Sequence, residues 1–126
     1  MQFTLAPPTE ATTISAQRVL VLAPHSDDEV FGCGGLLAEL AEAGAEIRVL
    51  YLTDSSGGAE VTADREAYAA RRRTEAQRGL DRLGVVQLET LPISDGDLRR
   101  FVDTAAEHIR RAVAEFRPDL LLSVSP

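Results

Sequence analysis

Apolar runs and helix-period segments alternate along this chain. Val19-Leu20-Val21-Leu22 is a continuous apolar run, the pattern of a strand buried on both faces, and predicts a strand over Arg18 to Ala23. Leu36, Leu37, Leu40 and Ala41 recur at helical spacing and predict a helix to about Ala43, with Gly44 as its C-terminal cap. A second strand is expected from Glu46 to Leu52, then a polar loop, Thr53 to Gly58. Thr62 suits the N-cap of a long helix running to Leu83 and closed by Gly84. Val85 to Leu91 reads as a third strand and Pro92 to Asp97 as its loop. With Asp97 as cap, Leu98, Val102, Ala105, Ile109, Val113 and Phe116 form the apolar stripe of a helix over Leu98 to Phe116. Arg117-Pro118 breaks it, and Asp119 to Ser125 is a fourth strand. Residues 1–16 read as a tail, with a short edge segment around Phe3 to Leu5, and 17–126 as one domain.

Strands alternating with helices predict an α/β fold, a Rossmann-like three-layer αβα arrangement around a mainly parallel sheet with right-handed crossovers. In such sheets ligands bind outside the carboxyl ends of the strands. His25 to Glu29, Thr53 to Gly58 and Pro92 to Asp97 gather there. The loop after the fourth strand would lie past Pro126, so the fold is expected to be truncated at its carboxyl end.

Composition narrows the function. A length of 126 residues suits one domain, and 44% hydrophobic with only 5% aromatic residues implies a core of Leu, Val and Ala. A net charge of -7 and a pI near 4.8 argue against nucleic acid, which wants a basic face. Cys33 is the only cysteine, so no internal disulfide forms and a reducing, cytoplasmic compartment fits. No apolar run approaches the roughly 18 residues of a membrane span. Pro7-Pro8 and the lack of a basic start argue against a secretory signal.

The chemistry concentrates in Ala23-Pro24-His25-Ser26-Asp27-Asp28-Glu29, followed by Gly32-Cys33-Gly34-Gly35. Adjacent carboxylates repel and lose hydration when partly buried. A divalent cation would relieve that conflict, taking imidazole nitrogen and carboxylate oxygen as ligands while a neighbouring carboxylate acts as general base. The plainer alternative is that Asp and Ser of this loop cap the next helix and that His25 is a satisfied loop residue, although three consecutive acids exceed what a cap needs. Arg72 falls on the apolar stripe of its helix with Ala69, Ala76, Leu80 and Leu83. It suits either a structural pair with Glu75 or a grip on a polar substrate. Asp95-Gly96-Asp97 reads as turn and cap, Asp54 as a loop organiser, His108 as a surface histidine and Cys33 as a packed thiol. The glycines do not make a dinucleotide site, because the intervening acids would repel a pyrophosphate. A phosphoacceptor domain would need a lysine at a later strand end, and none stands there.

Ala23-Pro24-His25-Ser26-Asp27-Asp28-Glu29 closely resembles the Pro-His-Pro-Asp-Asp-Glu signature of the LmbE-like, or PIG-L, N-acetylglucosaminyl deacetylases. The similarity continues through Gly32-Cys33-Gly34-Gly35, Leu52-Thr53 with Gly57-Gly58, Arg72-x-x-Glu75, Leu83-Gly84, Asp95-Gly96 and Arg117-Pro118-Asp119. Ser26 stands where the family usually has proline. The resemblance implies zinc held by His25 and Asp28, although other divalent ions suit the same donors. It further implies Asp27 as general base and Arg72 as a contact to the hydroxyls of a small acylated amino-sugar substrate. The reaction implied is hydrolysis of its N-acetyl amide. The family's third ligand is a histidine in a His-Pro-Asp-His-like motif shortly after the Arg-Pro-Asp strand, past Pro126. This chain alone is therefore expected to bind zinc weakly and to have little activity, and a homo-oligomer would cover core left open. A non-catalytic sugar- or partner-binding remnant is the alternative.

Overall fold

A computed structural model of the chain describes residues 13–59, 64–85 and 87–123. Four parallel strands, β1 (Arg18–Ala23), β2 (Glu46–Tyr51), β3 (Gln87–Thr90) and β4 (Leu120–Ser123), form one sheet in the order β3-β2-β1-β4. Three α-helices connect them: α1 (Asp28–Glu42), α2 (Arg65–Arg82) and α3 (Val102–Phe116). This is the α/β architecture the alternating pattern predicts. β1 lies inside the sheet, with Val21 opposite Val49 of β2 on one side and Leu122 of β4 on the other.

The parity of β1 and β2 divides the core. Val19, Val21, Ala23, Ile47, Val49 and Tyr51 pack with Leu37 and Leu40 of α1 and with Ala76 and Leu80 of α2. Leu20, Leu22 and Leu50 pack on the opposite face with Ala105 and Phe116 of α3. Strands with apolar residues at consecutive positions are required here because both faces are covered. Arg48 on the α3 face places its guanidinium 4.2 Å from the centre of the Phe116 ring, so its stem covers apolar surface.

The Arg-Pro-Asp segment has a structural task. Arg117 takes a left-handed conformation at the end of α3, with φ of 50°. Asp119 then accepts the backbone N–H groups of Gln17 (2.9 Å) and Arg18 (2.7 Å), fixing the start of β1 against β4. Gly44 and Gly84, at φ of 90° and 77°, close α1 and α2 as the sequence predicts.

Several boundaries differ from expectation. The N-cap of α2 is Asp64, whose carboxylate accepts the N–H groups of Glu66 and Ala67, while Thr62 lies outside the described residues. The segment expected as one helix from Leu98 opens as a 3₁₀ turn over Leu98–Phe101, and Asp97 makes no side-chain cap. The apolar stripe repeats at three and four residues and does not distinguish the two windings. α1 is kinked at Cys33 among glycines (φ −147°, ψ 17°). The Phe3 to Leu5 segment falls outside the described residues.

Leu80 is fully buried between α2 and the sheet. Leu80→Ala is expected to lower the unfolding free energy by about 2–5 kcal/mol, read from urea denaturation.

Candidate active site

The loops at the carboxyl ends of β1, β2 and β3 are stitched by short polar side chains. Thr53 Oγ1 donates to the Pro24 carbonyl at 2.8 Å. The Ser26 N–H donates to Ser55 Oγ at 2.8 Å, and the two hydroxyls lie 3.1 Å apart, both residues buried. Asp54 accepts the N–H groups of Ser56 and Asp95, each at 3.0 Å, joining the second loop to the third. Burial opposes its charge, yet these hydrogen bonds and the nearby Arg65 guanidinium hold Asp54 below the ordinary carboxylate range. Asp54 is thus the loop organiser its position suggested. Asp95 also accepts the N–H of Gly57 at 3.0 Å. A Cβ at position 57 would collide with that carboxylate, so a larger residue there must displace the Asp95 side chain.

On this frame sits the charged set. Asp27 occupies the N-cap position of α1 at φ 99°, ψ −25°, and its side chain makes no cap hydrogen bond. The capping alternative therefore does not account for its carboxylate. A left-handed non-glycine costs about 1–3 kcal/mol, which the surrounding contacts must offset. Asp27 Oδ2 instead accepts a short hydrogen bond from Arg72 Nη2, which also donates to the Ser26 carbonyl at 3.1 Å. Arg72 Nη1 donates to Glu75 Oε2 at 3.0 Å. The structural pair with Glu75 is present, and Arg72 also reaches across to the acidic loop. The hydrogen bond that Arg72 donates to the Asp27 carboxylate raises the Arg72 pKa above its ordinary value.

His25 Nε2 lies 2.8 Å from Asp95 Oδ1, and Nδ1 lies 3.4 Å from Asp28 Oδ2. With Nε2 paired to Asp95, the other ring nitrogen faces Asp28 Oδ2, which also accepts the backbone N–H of His25 at 2.9 Å. Two donors bound at about 2.1 Å to a tetrahedral ion stand about 3.4 Å apart, so this pair matches one edge of such a site. The carboxylate behind the imidazole is the usual outer partner of a metal-bound histidine. Among the described residues, no three His, Cys, Asp or Glu side chains are grouped to hold a metal ion.

The structure thus brings His25, Asp27, Asp28 and Arg72 into one cluster. His108 lies apart, accepting from Arg111 on α3, and Cys33 packs against the core, its thiol donating to the Glu29 carbonyl at 3.3 Å. Sequence reasoning missed the contact between Asp95 and His25. The turn signal of Asp95-Gly96 marks a loop, but nothing in it reports a partner 70 positions away.

With this geometry in hand, comparison with known proteins is decisive. Residues 20–126 match the model of the family described as PIG-L: GlcNAc-PI de-N-acetylase. The chain belongs to that family. A curated PIG-L relative, the diacetylchitobiose deacetylase of Thermococcus kodakarensis, is 32% identical over 114 residues, 87% of this chain and 41% of that protein. The solved N,N'-diacetylchitobiose deacetylase of Pyrococcus horikoshii, in complex with an inhibitor, superposes with a TM-score of 0.79 at 28% identity, covering 84% of this chain and 40% of that one. A 4-carboxy-2-hydroxymuconate hydratase of Pseudomonas putida, GalB, superposes at 0.76 with 27% identity, covering 86% and 47%. The chain thus spans less than half the length of these three proteins.

The lowered pKa of Asp54 has a thermodynamic sign. A depressed acid stabilises the fold above its unfolded value and loses that contribution as pH falls through the folded value. Asp54→Asn is expected to lower the melting temperature at pH 7, with the gap to wild type closing as pH falls below the ordinary carboxylate range.

Proposed function

We propose that this chain carries the proton-transferring acid and two metal donors of a zinc-dependent deacetylase acting on the N-acetyl amide of an N-acetylglucosamine-type conjugate. The observation that carries the reading is the pairing of His25 Nδ1 with Asp28 Oδ2 beside Asp27, with Asp95 behind the imidazole. His25 and Asp28 would hold the ion. Zinc, when bound, supplies a Lewis acid that polarises a carbonyl and acidifies water. The family and the archaeal deacetylase support the substrate class, an acylated amino sugar small enough to bind in the loops.

Asp27 has one oxygen engaged by Arg72, which leaves Oδ1 to accept a proton from the attacking water and return it to the departing amine. Arg72 engages three of its five N–H groups among the described residues, so two remain for sugar hydroxyls. The left-handed backbone of Asp27 and the guanidinium together aim the carboxylate before substrate arrives, so little reorganisation accompanies proton transfer.

Two protein donors hold zinc more weakly than the three of a full catalytic site, so the activity of this chain alone is expected to be low. Calorimetric zinc titration should give one site, lost in His25→Ala and Asp28→Ala. Release of primary amine from N,N'-diacetylchitobiose should depend on zinc and vanish in Asp27→Asn, with zinc still bound. Zinc binding unaffected by both ligand substitutions, or turnover retained in Asp27→Asn, overturns the roles. Amine release also separates amide hydrolysis from the water addition named for GalB.

Asp95→Asn offers a separate check on the imidazole. It is expected to weaken zinc binding about 10–100-fold, measured in the same titration.

A further inference from the structure

Glu29 and Tyr51 are buried polar groups outside the residues assigned to chemistry above. Glu29 is 1% exposed and Tyr51 fully buried at the end of β2. The Tyr51 hydroxyl donates to Glu29 Oε1 at 2.6 Å. The other oxygen, Oε2, accepts the Asp27 N–H at 3.2 Å. One buried carboxylate therefore bridges a rigid strand end and the backbone of the strained residue. Asp27 is held by three handles: its carbonyl accepts from Val30 and Phe31, its carboxylate from Arg72, and its N–H is held by Glu29.

We propose that Glu29, anchored by Tyr51, is a positioning residue that holds Asp27 in its left-handed conformation and so aims its carboxylate. The role rests on the reading of Asp27 as general base. It requires an acceptor at position 29 rather than a charge. Glutamine can supply one, its carbonyl accepting the Asp27 N–H while its amide donates to the Tyr51 oxygen. Methionine fills similar space without an adequate acceptor. Removing one partner of a buried hydrogen bond strands the other, whereas replacing both by apolar groups of like shape is nearly neutral for stability. That asymmetry separates positioning from simple support of the fold.

The test compares Glu29→Gln, Glu29→Met and the double variant Glu29→Met with Tyr51→Phe, using the whole chain. Three quantities are read: hydrogen exchange at the Asp27 amide by NMR without zinc or substrate, melting temperature, and zinc-dependent kcat and KM on N,N'-diacetylchitobiose. Glu29→Met is expected to lose Asp27 amide protection and on the order of 10²-fold in kcat, with KM within about twofold. Glu29→Gln should keep both the protection and the turnover that methionine loses. The double variant should regain melting temperature but neither amide protection nor kcat. Recovery of kcat along with stability in the double variant overturns the proposal, as does an Asp27 amide still protected in Glu29→Met. Loss of kcat in Glu29→Gln equal to that in Glu29→Met also overturns it, by assigning the role to charge. Absence of turnover in the wild-type chain would defeat the deacetylase reading instead, and the amide exchange would still decide whether Glu29 holds Asp27.

Discussion

The constraint on which this structure turns is the crowding of carboxylates at one end of the sheet. Asp27, Asp28, Glu29, Asp54 and Asp95 converge from loops that follow three parallel strands. Unscreened, such a cluster would drive the loops apart. Each acid is instead given a different compensating partner. Arg72 meets Asp27, the His25 imidazole meets Asp95, backbone amides meet Asp28 and Asp54, and the Tyr51 hydroxyl meets Glu29. The environments differ accordingly: burial pushes Glu29 up despite its hydrogen bonds, whereas Asp54 is held down. Distinct environments for neighbouring acids are the means by which one site divides proton transfer from ligand binding.

The sheet explains why such a cluster can be assembled at all. In the order β3-β2-β1-β4 the chain runs outward from β1 to β3 and then returns to the far side of β1. The packing follows this course, with α1 and α2 on one face and α3 on the other. The crevice opened by that reversal adjoins the end of β1, where the His25 to Glu29 loop emerges. Sheet topology therefore selects the location, and the polar stitching by Thr53, Ser55 and Asp54 fixes the loops there.

Much of this was legible in the residues. The apolar runs mark β1, β2 and β4, because covering both faces of a parallel sheet leaves a hydrophobic record, whereas edge strand β3 (Gln87–Thr90) carries only Leu88 as an apolar residue. The acidic loop was equally plain, since Asp27 and Asp28 after a buried strand are too costly to be incidental. What stayed hidden were pairings between distant loops. Asp95 reads as a turn because its neighbour Gly96 adopts φ of 93°, and that local signal masks the reach of its side chain to His25. Likewise Tyr51 reads as one more apolar strand residue, although its hydroxyl is the part that reaches the acidic loop. Helix ends were blurred for a related reason: Thr62 and Asp97 read as caps by residue type, but it is Asp64 that makes the bonds at α2, and Asp97 makes none.

The contacts that join the loops span sequence separations of 29, 45 and 70 residues. The first needs only β1 and β2 side by side, the second needs α2 docked and the third needs β3 beside β2, so closing progressively longer chain segments is an entropic cost of assembling the loops. Until the loops are assembled the acids sit in water, where their repulsion is weak and they do not oppose collapse. The acidic corner is in this sense a product of tertiary structure, since its pairings exist only where the sheet and α2 hold the loops together.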